Sequence, residues 1–298
     1  MIPKNTKNSH PLFAPYLALA SGILFLSISP LFVRWADAPG VVTSFYRMLI
    51  VSVIMGTLTL FHKKNNLPQT IPARIWILPV LAGLASGIDH IFWSIAIGNT
   101  LVANVTLLNY IAPLWVSLTA ILILREKYAW YFWAALAAIL LGNWIFFSSQ
   151  TDLSSQFSLT GEGFAFFSSF FFASYMILSQ SSQPFLKVRT ILLISSFAAL
   201  IPLLMTILLM GLPLTGYSPQ TYVTFLFAGL FSQLGGYYSI NFALRHLPAT
   251  IVSSAFVLQP VITVLLAVQF EGEGIQLIQI LGGLLILGGI YFIKTAKK

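Results

Sequence analysis

The sequence predicts an all-α integral membrane protein, with ten transmembrane helices arranged as two five-helix inverted-topology repeats and both termini cytoplasmic. Three observations carry this expectation. Of 298 residues, 58% are hydrophobic and only 7% charged, whereas soluble domains carry about 25% charged residues. The apolar residues fall into runs of about 20, the length that crosses a ~30 Å hydrocarbon core. Short motifs also recur at a fixed offset of 147 positions.

Cutting the chain at charges, Pro and Gly gives runs at roughly 14–34, 41–61, 73–97, 101–124, 129–147, 160–182, 189–211, 219–244, 248–269 and 275–294. The polar start holds Lys4 and Lys7. Ala18-Leu19-Ala20 has the form of a signal-peptidase site, but too little apolar chain precedes it. The first run is therefore expected to be an uncleaved helix. The connections are short and leave no room for a soluble domain. The alternating pattern of barrel strands is missing.

Charge fixes the orientation. With the N-terminus inside, cytoplasmic segments receive Lys4, Lys7, Lys63, Lys64, Arg74, Arg125, Lys127, Lys187, Arg189, Arg245, Lys294, Lys297 and Lys298, which is 13 of the 15 Lys and Arg. Only Arg34 falls in an outside loop, and Arg47 lies within a helix. An excess of Lys and Arg inside is what sets membrane topology. Five of the seven acids fall outside: Asp37, Asp152, Glu162, Glu271 and Glu273. Adding or removing one helix would flip every later loop and destroy this separation.

The repeat shows best between helices 4–5 and 9–10. Pro113 and Glu126 answer to Pro260 and Glu273, Gly142 to Gly289, and Ala96 to Ala243, every pair 147 apart. The halves are expected at 14–147 and 160–294. Because five is odd, the second copy enters the membrane from the opposite side. Inverted repeats of this kind underlie many secondary transporters, in which exchange of conformation between the halves exposes a central site to alternate sides.

Other classes fall away. Without Cys there are no disulfides, thiolate metal sites or Cys nucleophiles. His10, His62, His90 and His246 never come within metal-ligand spacing, so neither a metal nor a cofactor is expected. The net charge of +8 suits a nucleic-acid partner only with a basic, aromatic-interleaved patch, which is missing. No Walker-type Lys loop supports an ATP pump. Asp89-His90 is too little for an intramembrane enzyme, and no ring of charges suggests a channel pore. The expected partners are the lipid bilayer and a small-molecule substrate. A monomer suffices, and nothing forbids a dimer.

At Pro260, Gly272-Glu273, Gln279-Ile280-Leu281-Gly282-Gly283 and Leu287-Gly288-Gly289, the chain resembles the EamA-type drug/metabolite transporter family. The first half is similar but looser, with Arg125 where Gly often precedes the glutamate. Phe45-Tyr46-Arg47 resembles the arginine-bearing second helix of that family. The resemblance covers the whole chain as two copies. It implies ten helices, a central cavity and export or exchange of small metabolites, with amino acids the commonest cargo of the bacterial inner-membrane exporters. Sugar phosphates, nucleotide derivatives and cationic drugs are the alternatives.

Ionisable groups inside membrane helices are functional candidates by default. Arg47 and Asp89 lie six and eight residues from the outer ends of helices 2 and 3, at depths of ~9 and ~12 Å. Two readings stand. They can pair as a salt bridge that holds the helices together. Or Arg47 can grip a substrate carboxylate or phosphate, while Asp89 couples protons or meets a substrate amine. His90 is expected as a neutral, hydrogen-bonded interior residue, with a proton relay as the alternative. Trp93, Asn109, Tyr110, Tyr237, Tyr238, Asn241 and Gln259 are candidates for lining a cavity with polar anchors among aromatics. Pro113 and Pro260 are expected to kink their helices. Glu126 and Glu273 precede helices 5 and 10 as expected caps on the positive dipole ends. Gly83 and Gly87 form a small-xxx-small face suited to close helix packing.

Overall fold

The computed structural model describes residues 13–61, 71–100, 102–123, 125, 127–148, 159–271 and 276–295. The expected caps Glu126 and Glu273 lie outside the described residues. The chain forms α1 (Phe13–Ser27), α2 (Ser29–Trp35), α3 (Gly40–Phe61), α4 (Ala73–Ile97), α5 (Val102–Asn109), α6 (Ala112–Leu122) and α7 (Trp130–Ser148) in the first half. The second half holds α8 (Leu159–Ser182), α9 (Val188–Leu209), α10 (Pro219–Phe227), a π-helical segment (Ala228–Gly236), α11 (Tyr237–His246), α12 (Ala249–Phe256), α13 (Gln259–Glu271) and α14 (Leu277–Thr295). Among the described residues, seven helical stretches are long and apolar enough to cross a bilayer, and Phe13–Ser27 and Leu277–Ile293 are apolar but shorter.

Four of the runs depart from regular α-helix along their length, and proline explains three. A proline has no N–H and its ring collides with the carbonyl four residues earlier. Pro113 stands at the start of α6, and α5 ends four residues before it, at Asn109. Pro260 stands at the start of α13, and α12 ends four residues before it, at Phe256. At both prolines regular α-helix lapses for two residues, Tyr110-Ile111 and Val257-Leu258, while the span continues on either side, as the expected kinks require and at equivalent places in both halves. Pro30 at the start of α2 follows the same pattern, with α1 ending at Ser27. The fourth departure is the π segment, whose counterpart at the repeat offset is regular α4.

The offset of 147 is written into the element bounds. Helices α5, α6 and α7 begin at 102, 112 and 130, while α12, α13 and α14 begin at 249, 259 and 277. The packing repeats too. α4 lies against α8, and its equivalent, the α10–α11 rod, lies against α1. The terminal helices of each half, α7 and α14, pack on each other.

That last contact reveals the relation between halves. A Cβ built on Gly142 would lie 2.8 Å from Gly282 O and 2.9 Å from Leu285 Cβ. One built on Gly289 would lie 2.8 Å from Ala135 O. Gly142 and Gly289 are repeat equivalents, as are Ala135 and Gly282. The contact is therefore reciprocal, as a two-fold relation requires. As α7 advances from 135 to 142, its neighbours on α14 recede from 289 to 282, so equivalent helices run antiparallel. Close approach also demands Gly83 and Gly87 on α4. A Cβ at Gly87 would meet Pro202 Cγ at 2.5 Å and Ala199 O at 2.8 Å on α9, and one at Gly83 would meet the Ser195 backbone. The expected small-residue face is an α4–α9 seam.

Candidate functional site

The buried polar groups gather where α3, α4, α5, α8 and the irregular α10–α11 rod meet. The amphipathic logic of water is reversed here. In lipid, polar side chains turn inward toward partners.

Arg47 on α3 is buried, at 6% exposure. Its Nη2 donates to Gln233 Oε1 at 3.1 Å. Its Nε is buried and has no partner among the described residues. Asp89 on α4 is also buried. Ser168 Oγ on α8 donates to Asp89 Oδ1 at 2.5 Å. Asn109 Nδ2, at the end of α5, donates to Ser168 Oγ at 2.8 Å and lies near enough to the carboxyl group to act on it electrostatically. The salt bridge between Arg47 and Asp89 is not formed. Each group instead has a partner from the second half, Gln233 for Arg47 and Ser168 for Asp89. Equal depth on neighbouring helices did not bring them together, because α8 and the π segment supply nearer partners.

His90 Nδ1 donates to Ser86 O at 2.8 Å and lies 3.7 Å from Asp89 Oδ2. It also lies within the field of Arg47. Tyr237, buried at the start of α11, is within electrostatic range of both Asp89 and Arg47. Its ring packs edge-on against Tyr175 at 5.4 Å. Tyr110 is buried and close enough to Tyr237 to interact electrostatically. A guanidinium, a carboxyl group and an imidazole thus share one buried neighbourhood with three tyrosines.

The remaining candidates separate. Asn241 is a scaffold residue in this structure: Nδ2 donates to Tyr175 Oη at 2.7 Å and Tyr237 O at 2.9 Å, while its own carbonyl accepts from Gln183. Gln259 ties α13 to α1, with Nε2 donating to Leu26 O at 3.1 Å. Trp93 packs, alongside Ile97, Leu108 and Phe164, against a small satellite cluster of Ala96, Val105 and Ala165. Tyr238 is 42% exposed and faces outward, because the next residue along a helix turns by about 100° and Tyr237 takes the inner position. The structure also adds Gln233, Ser168 and Tyr175, which the sequence reading passed over. Gln233 carried a signal, as an amide in an apolar run. Ser168 carried none, since membrane serines commonly bond the carbonyl of their own preceding turn. No group of His, Asp and Glu that could hold a metal occurs among the described residues.

These features define a multi-pass helical membrane protein built from two copies of one half, with a buried polar site between them. The model of the EamA-like transporter family matches the chain twice, over residues 13–148 and 159–295. The protein belongs to that family, whose members are transporters. No curated protein matches the chain. A solved crystal structure superimposes with a TM-score of 0.79, covering 95% of this chain and 98% of that chain at 15% identity. At that identity the likeness shows the fold alone.

Proposed function

We propose that this protein is a secondary transporter that moves small metabolites, namely neutral or aromatic amino acids, across a bacterial inner membrane by export or exchange. The chain crosses ten times with both termini cytoplasmic. That topology rests on the charge separation, and the antiparallel pairing of α7 and α14 supports the opposed insertion of the two halves. Access alternates as the halves exchange conformations about the kinked helices at Pro113 and Pro260.

One observation carries the substrate class. Arg47 and Asp89 are buried in one neighbourhood, yet each is partnered by neutral groups rather than by the other. A cation and an acid held apart match the carboxylate and ammonium of a zwitterion. The nearby tyrosines suit an apolar or aromatic side chain. Arg47 would take the carboxylate, and Asp89 the ammonium, with His90 beside it.

Counterflow in proteoliposomes tests this. The panel is neutral and aromatic amino acids, sugar phosphates, nucleotide derivatives and cationic drugs. Accumulation of a labelled amino acid, competed by its unlabelled form, is the expected result. Uptake restricted to a phosphorylated compound or a drug would overturn the substrate class and leave the fold untouched.

A further inference from the structure

The contact between Arg47 and Gln233 has no role in holding helices that a simpler residue could not fill. A guanidinium is permanently charged and offers five N–H donors. Here it is 6% exposed, and a neutral amide oxygen compensates little of the cost of burying a charge. The Gln233 bond uses Nη2, and the orphaned donor is Nε. Those two nitrogens form one edge of the planar fork, and such an edge accepts a carboxylate or phosphate through two parallel hydrogen bonds. Gln233 Oε1 therefore occupies Nη2, one of the two nitrogens that such a group would take, and the other, Nε, is left over.

The setting of Gln233 is also particular. It is 1% exposed and belongs to the π segment Ala228–Gly236. Its repeat equivalent is Ser86, inside regular α4. The two halves thus differ at this position, in side chain and in backbone. π turns are rare and occur frequently at functional sites.

We propose that Gln233 is a specificity-determining residue that stands in for the oxyanion of the substrate: its Oε1 satisfies Arg47 Nη2 until a carboxylate or phosphate displaces it and takes Nη2 together with Nε. This rests on the assignment of Arg47 as the anion site. Displacement frees an amide carried by the irregular helix of the second half, so arrival of the substrate acts directly on the element in which the halves differ.

The test uses the full-length protein in proteoliposomes, with labelled L-phenylalanine and labelled glycerol 3-phosphate as probes. Gln233→Glu places a competing carboxylate on Arg47. It is expected to raise the KM of the transported oxyanion about tenfold or more, the worth of a charge-assisted bond. Gln233→Met keeps the length of the side chain, removes the acceptor, and is expected to lower that KM. Which probe responds distinguishes a carboxylate from a phosphate. An unchanged KM in both variants, with only turnover reduced, overturns the stand-in role and leaves the Arg47 assignment intact. Transport of neither oxyanion by the unaltered protein overturns both. If Gln233→Glu does not elute as a folded species, Gln233→Met alone decides: a lower KM supports the proposal, and an unchanged or higher one overturns it.

Discussion

Two neighbouring glycines on α14 offer a controlled measurement of how the halves are joined. A Cβ at Gly289 would lie 2.5 Å from Ile139 Cγ1, 2.8 Å from Ala135 O and 3.2 Å from Ile139 N on α7. A Cβ at Gly288 would have nothing within 4 Å. Carbon contacts settle at about 3.5–4.0 Å, so Gly289→Ala requires α7 and α14 to part by about 1 Å. Ile139 Cγ1 can turn aside, but the Ala135 carbonyl is backbone and cannot. Overpacking of this kind costs about 1–3 kcal/mol. Both substitutions also regain the helix propensity that glycine forfeits, about 0.8–1 kcal/mol. That gain cancels between the two sites. Gly289→Ala should therefore fall below Gly288→Ala by about 1–3 kcal/mol, with Gly288→Ala equal to the parent or slightly above it. Unfolding by SDS titration of the purified protein, followed by circular dichroism, measures the difference. Equal effects at both positions, or greater damage at Gly288, would refute the reciprocal α7–α14 seam and with it the two-fold relation drawn from that contact.

Other outcomes follow from the polar site and its scaffold. Arg47→Ala should abolish transport while the protein still elutes as a folded species. Because Arg47 and Asp89 hold different partners, the double variant Arg47→Ala/Asp89→Ala should not regain activity. Recovery in counterflow would make the pair a structural salt bridge after all. Asn241→Leu should cost about 1–3 kcal/mol in the SDS assay, since it removes the buried Nδ2 bonds to the Tyr175 hydroxyl and the Tyr237 carbonyl, while Gln183 keeps its bond to the backbone oxygen of residue 241. Tyr238→Leu, at the exposed surface, should stay within about 0.5 kcal/mol. A reversed order would mean that the inner and outer faces of α11 have been exchanged.

Much of the helical layout was legible because lipid imposes it. Backbone groups must be satisfied within each segment, so apolar runs become helices and little else is available. The repeat was legible because Pro113, Pro260, Gly142 and Gly289 are residues whose positions are dictated by backbone geometry rather than by side-chain preference. The kinks are legible too: the runs at 101–124 and 248–269 continue as spans past Pro113 and Pro260, and the same prolines that mark the repeat end regular helix in α5 and α12 four residues upstream. The physical rule was available from the sequence, since the ring of proline collides with that carbonyl. The π segment was not available, since its residues AGLFSQLGG read as an ordinary apolar helix and only the packing of the rod decides the wider turn.

The site was less legible than the fold, for a reason that bears on how it works. Arg47 and Asp89 announced themselves because a charge in an apolar run is costly wherever it points. Their partners did not, because the partner of a buried charge is chosen by three-dimensional proximity, and in an inverted repeat the nearest groups come from the other half. Gln233 is 186 positions from Arg47, and Ser168 is 79 from Asp89. Pairing by depth alone set Arg47 against Asp89 within the first half. The observed arrangement instead ties Arg47 and Asp89 each to a neutral group of the second half. An ion pair within one half would be indifferent to movement between halves. On the alternating-access mechanism proposed above, contacts that cross the repeat boundary break or re-form as the halves rearrange, so a ligand that replaced Gln233 on Arg47 would change the energy of that rearrangement as well as its own binding.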